Sequence, residues 1–315
     1  STYAIHCAAL TLMKKEHFKF QYTFHDKEEY DSYMEKYNQI YGEKIDEIRN
    51  GGYHIYTSLD SKIQRKLQES VDGVLEGFEE LQEDGRFAMQ GAAAIADNQS
   101  GYIVAIVGGR GTSDQYNRAY LSARQPGSSI KPLIDYTPAL DTGAYFPSKI
   151  MNDHEIENGP KNSGGGYRGN MPMREAVNRS INTIAWQVLQ DIGVNKGLSY
   201  LGEMKFHKLS YIDNDVAALA IGGFTNGTRV VDMVKGYQTL ANYGEYNDNT
   251  CILDIEDSEG ISLMKTLNTE KKQIYERDSA YLMTDILKGT ICMPYGTGRG
   301  LELNNGMPSG GKPGT

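Results

Sequence analysis

Residues 124–132 read Arg124-Gln125-Pro126-Gly127-Ser128-Ser129-Ile130-Lys131-Pro132. Pro126 and Gly127 stop any helix arriving from upstream, and Ser128 then has the side chain to cap a new helix running through Leu133, Ile134 and Tyr136. On that helix Lys131 stands one turn from Ser128 on the same face, so its amine can reach the serine hydroxyl. A serine is a weak nucleophile until a base takes its proton, and a lysine serves as that base only when desolvation or a second cation lowers its pKa. The helix start adds N–H groups, that of Ser128 among them, directed to where an oxyanion would form. Four residues alone fit equally well a serine cap followed by a solvated lysine.

Working outward, Ser180-Ile181-Asn182 falls at the joint between two expected helices, roughly Pro172 to Arg179 and Thr183 to Ile192, where Ser180 and Asn182 can face a cleft while Ile181 anchors inward. The sequence closes on Ser309-Gly310-Gly311-Lys312-Pro313-Gly314-Thr315, a Lys-x-Gly placed on what reads as a sheet edge. Upstream, Ala92 to Ala96 and Tyr102 to Val107 flank a turn cluster and predict a hairpin whose apolar arms belong in a central, covered sheet. Tyr53 to Ser58 reads as a short strand. Asp60 or Ser61 caps a helix whose Ile63, Leu67, Val71, Val74, Leu75, Phe78 and Leu81 form one buried face. Before it the chain is rich in Tyr, Lys and Glu, as in a small helical segment with a solvated face. Asp153 to Asn170 reads as an extended surface loop. Helices are expected around Val230 to Ala241 and Asp278 to Leu287, and a strand over Cys251 to Ile255 with a turn at Asp257 to Gly260. Strands, then helices, then strands predict an α+β fold, an antiparallel sheet packed with helices, and not βαβ alternation.

Composition removes several classes of function. The 315 residues carry 32 Lys+Arg against 41 Asp+Glu, a net charge of −9, so the basic footprint of a nucleic-acid binder is missing. No apolar run reaches the ~18 residues of a membrane span. Cys7, Cys251 and Cys292 form no CxxC pair, and the six histidines have no ligand spacing, so neither a metal nor a cofactor is expected. Gly164-x-Gly166-x-x-Gly169 matches a dinucleotide fingerprint, but no strand precedes it. The Asn98, Asn178 and Asn226 sequons read as turn chemistry.

Ser-x-x-Lys, Ser-x-Asn and a terminal Lys-x-Gly in this order resemble the signature of penicillin-binding proteins and serine β-lactamases. More narrowly, residues 124–132 resemble the nucleophile segment of class A penicillin-binding proteins almost residue for residue. Ala220 to Gly223, Ala241 to Gly244, Ile255 to Gly260 and Gly296-Thr297-Gly298 are similar to further landmarks of that family in the expected order, and Gly51 to Gln64 to the segment preceding its transpeptidase domain. The resemblance implies a penicillin-binding-protein/serine β-lactamase-like fold, with an all-helical subdomain beside the sheet and the active site between them. It implies a linker or N-terminal segment over 1–89 and a transpeptidase domain over 90–315, with further strands and a terminal helix after Thr315. The implied activity is serine D,D-transpeptidation: Ser128 nucleophile, Lys131 base, Ser180 proton relay, Asn182 holding substrate amide and Lys131, Lys312 facing the substrate carboxylate, and Ser129, Gly314 and Thr315 lining the substrate. Expected partners are peptidoglycan stem peptides, β-lactams and other members of a cell-wall synthesis complex, on the outer face of a bacterial membrane to which the parent protein is anchored. D,D-carboxypeptidase, β-lactamase and a non-catalytic cell-wall scaffold are the alternatives. Pro313 departs from the family's threonine and implies slower or narrower acylation.

Overall fold

The computed structural model describes residues 2–111, 115–210, 212–264 and 270–314. In chain order these form α1 (Thr2–Lys15), α2 (Lys27–Asn50), β1 (His54–Thr57), α3 (Ser61–Val74), β2 (Ala93–Ala96), β3 (Ile103–Val107) and α4 (Arg118–Leu121). There follow a 3-10 turn (Gly127–Ile130), a π turn (Pro132–Tyr136), α5 (Thr137–Asp141), β4 (Ile150–Asp153), β5 (Gly169–Pro172), α6 (Met173–Asn178), α7 (Asn182–Ile192), α8 (Val194–Glu203) and α9 (Val216–Leu219). The rest is α10 (Val230–Ala241), β6 (Glu245–Asn247), β7 (Ile252–Glu256), β8 (Lys271–Gln273) and α11 (Arg277–Cys292). Strands pair as β1–β7, β2–β3, β4–β5 and β6–β8, the first three antiparallel. By packing, the chain divides into two compact units: Ser1–Ala123 with Arg229–Gln238 and Asn247–Lys271, and Arg124–Thr228 with Thr239–Tyr246 and Lys272–Thr315.

In the first unit, Asp26 caps α2 by accepting from the Glu29 N–H (2.8 Å), and Glu29 returns a bond to the His25 N–H (2.6 Å), a reciprocal pair that fixes the helix start. Tyr3, Cys7, Leu12, Ile103, Ile106, Tyr120, Ile252 and Ile255 belong to its buried core. The expected hairpin is present as β2–β3, but only β3 is well buried; on β2, Ile95 is exposed.

The α3 helix forms behind its Asp60 cap but does not bury the expected face. It ends at Val74, beside the weak helix former Gly73, and Ile63, Val74, Phe78 and Leu81 are exposed. The half-buried positions are Gln64, Leu67, Gln68, Val71, Asp72 and Leu75, a stripe at helical spacing rotated away from the expected one. Hydrogen bonds set that rotation. The Gln64 amide donates to the Ile106 carbonyl (3.0 Å) and accepts from the Ile106 N–H (2.9 Å), and Gln68 donates to the Gly109 carbonyl (3.1 Å). With the Asp60 N–H on the Val104 carbonyl and the Ile103 N–H on the Thr250 carbonyl, they occupy the edge of β3 that β2 leaves open.

The second unit holds the two helices expected around Ser180-Ile181-Asn182, as α6 and α7, and adds α8, whose glycines hid it from the hydrophobic pattern. The loop expected over 153–170 begins and ends in a hairpin: β4 pairs with β5 from Ile150↔Pro172 to Asp153↔Gly169, carrying residues 154–168 as its connection.

Candidate active site

Two prolines shape the nucleophile segment. Ser128 is not the helix cap: Pro126 holds that position and Gly127–Ile130 is a 3-10 turn. Pro132 has no N–H to give the Ser128 carbonyl, which is taken instead by the Lys131 N–H. Pro138 likewise cannot serve the Ile134 carbonyl, and the Thr137 N–H reaches back to Pro132, closing the π turn. It is the Ser129 hydroxyl, not that of Ser128, that donates back to the Pro126 carbonyl (2.6 Å), and Ser128 is half-buried. Residues 222–228 hold the turn from behind. The Gln125 amide donates to the Phe224 carbonyl (2.6 Å) and accepts from the Phe224 N–H (2.7 Å), and Arg124 bridges to Thr228. A Cβ at Gly222, whose φ is +88°, would lie 2.2 Å from the Gly127 carbonyl oxygen, so only glycine fits there.

The Lys131 side chain is fully buried, and its Nζ donates to Asn182 Oδ1 (2.6 Å), the Ser180 carbonyl (3.0 Å) and Ser180 Oγ (3.4 Å). Lys312 Nζ donates to the same Ser180 Oγ (2.7 Å) and to the Pro313 carbonyl (3.0 Å). One hydroxyl thus stands between two amines, on a residue held at φ 59°, a left-handed conformation uncommon outside glycine. Burial lowers Lys131 to about 8, against a smaller opposing pull from Asp135. Burial, reinforced by the charge of Lys131, lowers Lys312 to about 7. Asp135 is fully buried, neither carboxyl oxygen has a hydrogen-bond partner among the described residues, and burial pushes its pKa well up. It stands four residues after Lys131, a spacing the sequence displays, although only burial shows that it bears on the lysine.

Residues 309–314 form no strand, contrary to the expected sheet edge; Pro313 has no N–H to offer a ladder. The segment still lies against the nucleophile turn: a Cβ at Gly314 would sit 2.2 Å from the Pro126 carbonyl oxygen and 3.1 Å from Ser129 Oγ. Thr315 lies outside the described residues. The second unit therefore brings together Ser180, Asn182, Lys131 and Lys312, and sets Gly314 against Ser129.

Asn182 is itself held by two residues absent from the sequence expectation. Asn162 Oδ1 accepts from the N–H of Asn182 (2.9 Å) and of Thr183 (3.4 Å), and the Lys161 carbonyl accepts from Asn182 Nδ2 (2.7 Å). Among the described residues no His, Cys, Asp and Glu gather to hold a metal, and no helix is long and apolar enough to cross a membrane.

Two amines of lowered pKa share the Ser180 hydroxyl, an arrangement able to carry a proton from one to the other, while Ser128 makes no side-chain hydrogen bond to either of them among the described residues. The family described as the penicillin binding protein transpeptidase domain matches residues 91–315, and the chain belongs to it. It is 30% identical over 306 residues to penicillin-binding protein 1A of Clostridium perfringens (strain 13 / Type A), covering 90% of this chain and 44% of that protein. It is 32% identical over 286 residues to penicillin-binding protein 4 of Bacillus subtilis (strain 168), covering 89% and 43%. The chain thus spans less than half the length of these relatives. Among solved structures, the D,D-transpeptidase domain of a peptidoglycan glycosyltransferase from Eggerthella lenta superposes with a TM-score of 0.66 at 20% identity, covering 84% of this chain and 71% of that one. Penicillin-binding protein 1A from Haemophilus influenzae gives 0.64 at 19%, covering 93% and 64%. The penicillin-binding-protein transpeptidase fold follows.

Proposed function

We propose that the chain is a serine D,D-transpeptidase acting through an acyl-enzyme on Ser128. The observation that carries the reading is the pair of amines, the buried Lys131 and the half-buried Lys312, meeting on the Ser180 hydroxyl, with the Lys312–Gly314 segment against the nucleophile turn. In this reading Ser128 Oγ bonds to the carbonyl carbon of the penultimate D-Ala of a stem peptide and gives its proton to Lys131 Nζ. The peptide C–N bond breaks, and the departing D-Ala takes that proton through Ser180. An amine of a second stem then attacks the ester, forming the new amide and returning a proton to Ser128. Lys312 faces the substrate carboxylate, whose charge holds the Lys312 proton and leaves Lys131 as the amine that gives its proton up. Asn182, Ser129, Gly314 and Thr315 position the substrate, and the N–H groups of Ser128 and Thr315 receive the oxyanion. Residues 1–89 act as a linker or N-terminal segment to the domain over 90–315, and the parent protein works on the outer face of the membrane with other cell-wall enzymes.

A β-lactam ring opening on Ser128 loses no leaving group, so benzylpenicillin should add its whole mass. Intact-mass analysis followed by peptide mapping is expected to give one long-lived adduct on the peptide bearing Ser128. No adduct, or one on another residue, would overturn the reading, and its loss within minutes would favour hydrolysis by a carboxypeptidase or β-lactamase. Pro313→Thr should acylate faster, by about five- to tenfold if the hydroxyl regains one hydrogen bond to the inhibitor. Equal rates would show that Pro313 costs nothing.

A further inference from the structure

We propose that Asn162, locked by Asp153 and by the glycine run that follows it, is a positioning residue for the Lys131–Asn182 pair. The inference rests on the transpeptidase reading and adds a component to its site. The α7 helix starts at Asn182 with Ile181 in the cap position, a residue with no side-chain acceptor to offer. Asn162 supplies the missing acceptor from another segment, through its bonds to the Asn182 and Thr183 N–H groups. Its amide orientation follows from its partners, because a flipped side chain would set an NH2 against two N–H donors.

Asn162 is held in turn from both sides. Its Nδ2 donates to Asp153 Oδ1 (2.8 Å) and to the Gly166 carbonyl (3.2 Å). Asp153, at the end of β4 and only 1% exposed, also accepts from the Thr183 hydroxyl (2.6 Å) and, on Oδ2, from the Arg168 N–H (2.9 Å). Gly164, Gly165 and Gly166 all have positive φ (84°, 77° and 73°), and this turn brings the Gly166 carbonyl back onto Asn162. The Gly-x-Gly-x-x-Gly pattern thus closes a loop around an asparagine.

The consequence falls on the lysine. Asn182 Nδ2 is occupied by the Lys161 carbonyl, so its Oδ1 faces Lys131 Nζ at 2.6 Å. Two successive residues of one loop therefore fix the backbone and the side chain of the group that orients the general base. Loosening them should slow bond formation at Ser128 while leaving noncovalent inhibitor binding intact, because Asn162 itself touches no atom of the nucleophile turn in the hydrogen-bond network.

The test is stopped-flow acylation of the 315-residue chain by a fluorescent penicillin, resolved into a binding constant and a first-order acylation rate, with hydrogen exchange at the Asn182 and Thr183 amides. Asn162→Ala is expected to lower the acylation rate roughly 10- to 100-fold, with the binding constant unchanged and both amides exchanging faster. Asp153→Asn and Asn162→Asp should each slow acylation, and the two combined should recover part of the loss, since the new Asn can donate to the new Asp, which still caps α7, while the Gly166 carbonyl is left without its donor. An unchanged acylation rate in Asn162→Ala, a loss confined to binding, or a double variant no better than either single one would overturn the proposal. If the parent chain forms no adduct on Ser128, the transpeptidase reading fails, and the amide exchange alone then decides whether Asn162 holds α7: faster exchange supports it, unchanged exchange overturns it.

Discussion

Lys131→Ala is expected to take up penicillin roughly 10²- to 10⁴-fold more slowly than the parent chain, the span that a positioned general base contributes. The side chain is fully buried and spends its donors on Asn182 and Ser180, so truncation removes the base and leaves Asn182 Oδ1 without its partner. The pH profile separates loss of base from loss of packing. Burial lowers Lys131 to about 8 and Lys312 to about 7, both beneath the ordinary lysine value of 10.5. Their amines therefore become proton acceptors as pH rises through that range, not above 10. Acylation of the parent should climb between about pH 6 and 9 and then level off, the midpoints belonging to the pair of amines jointly. Lys131→Ala should lose that rising limb, and Lys131→Arg, charged at every accessible pH, should not regain it. A parent profile flat across this range, or a Lys131→Ala rate within about threefold of the parent, would remove Lys131 from the role of base.

Gly314→Val carries the second large effect, through a collision. A Cβ at this position would lie 2.2 Å from the Pro126 carbonyl oxygen, and that oxygen belongs to the backbone, which has no rotamer to escape into. The Lys312–Gly314 segment must lift away from the nucleophile turn, carrying the Lys312 amine off Ser180 Oγ, which it now meets at 2.7 Å. A displacement of about 1 Å at a reacting site costs about 10²-fold in rate, and the fluorescent-penicillin assay should show a loss of that size. Residues 309–314 belong to no helix or strand, so thermal unfolding should shift little. A rate within about threefold of the parent would mean that the segment tolerates a side chain and that its approach to Ser129 is dispensable.

How much of this was legible in the sequence depends on whether the signal is local. Ser128, Lys131, Ser180, Asn182 and Lys312 announce themselves by residue type and short spacing, and the structure gathers the last four of them on hydrogen bonds. The hairpin β2–β3, the Asp60 cap and the joint at Ser180 also follow local rules and stand within a residue or two of expectation. The face of α3 does not, because docking is decided by Gln64 and Gln68, polar residues that a hydrophobic pattern assigns to solvent. Ser128 looked like a cap because capping preferences assume an α-helix, whereas Pro132 and Pro138 withhold the donors an α-helix needs. Asn162 had no local signature at all: it serves a helix that begins twenty residues later, across a hairpin whose strands are too short to show a pattern.

The two prolines around the nucleophile have one more effect, on the phase of the helix. A 3-10 turn advances faster around the axis than an α-helix, with 3.0 residues per turn against 3.6, and a π turn advances more slowly. Gly127–Ile130 overwinds the chain, and Pro132–Tyr136 unwinds it before α5 begins. The two irregularities act in opposite senses on the azimuth, so the rotation that the first adds ahead of α5 is reduced by the second. Between those opposed twists, Lys131 can be aimed to suit the chemistry with less of that rotation passed on to the packing further along.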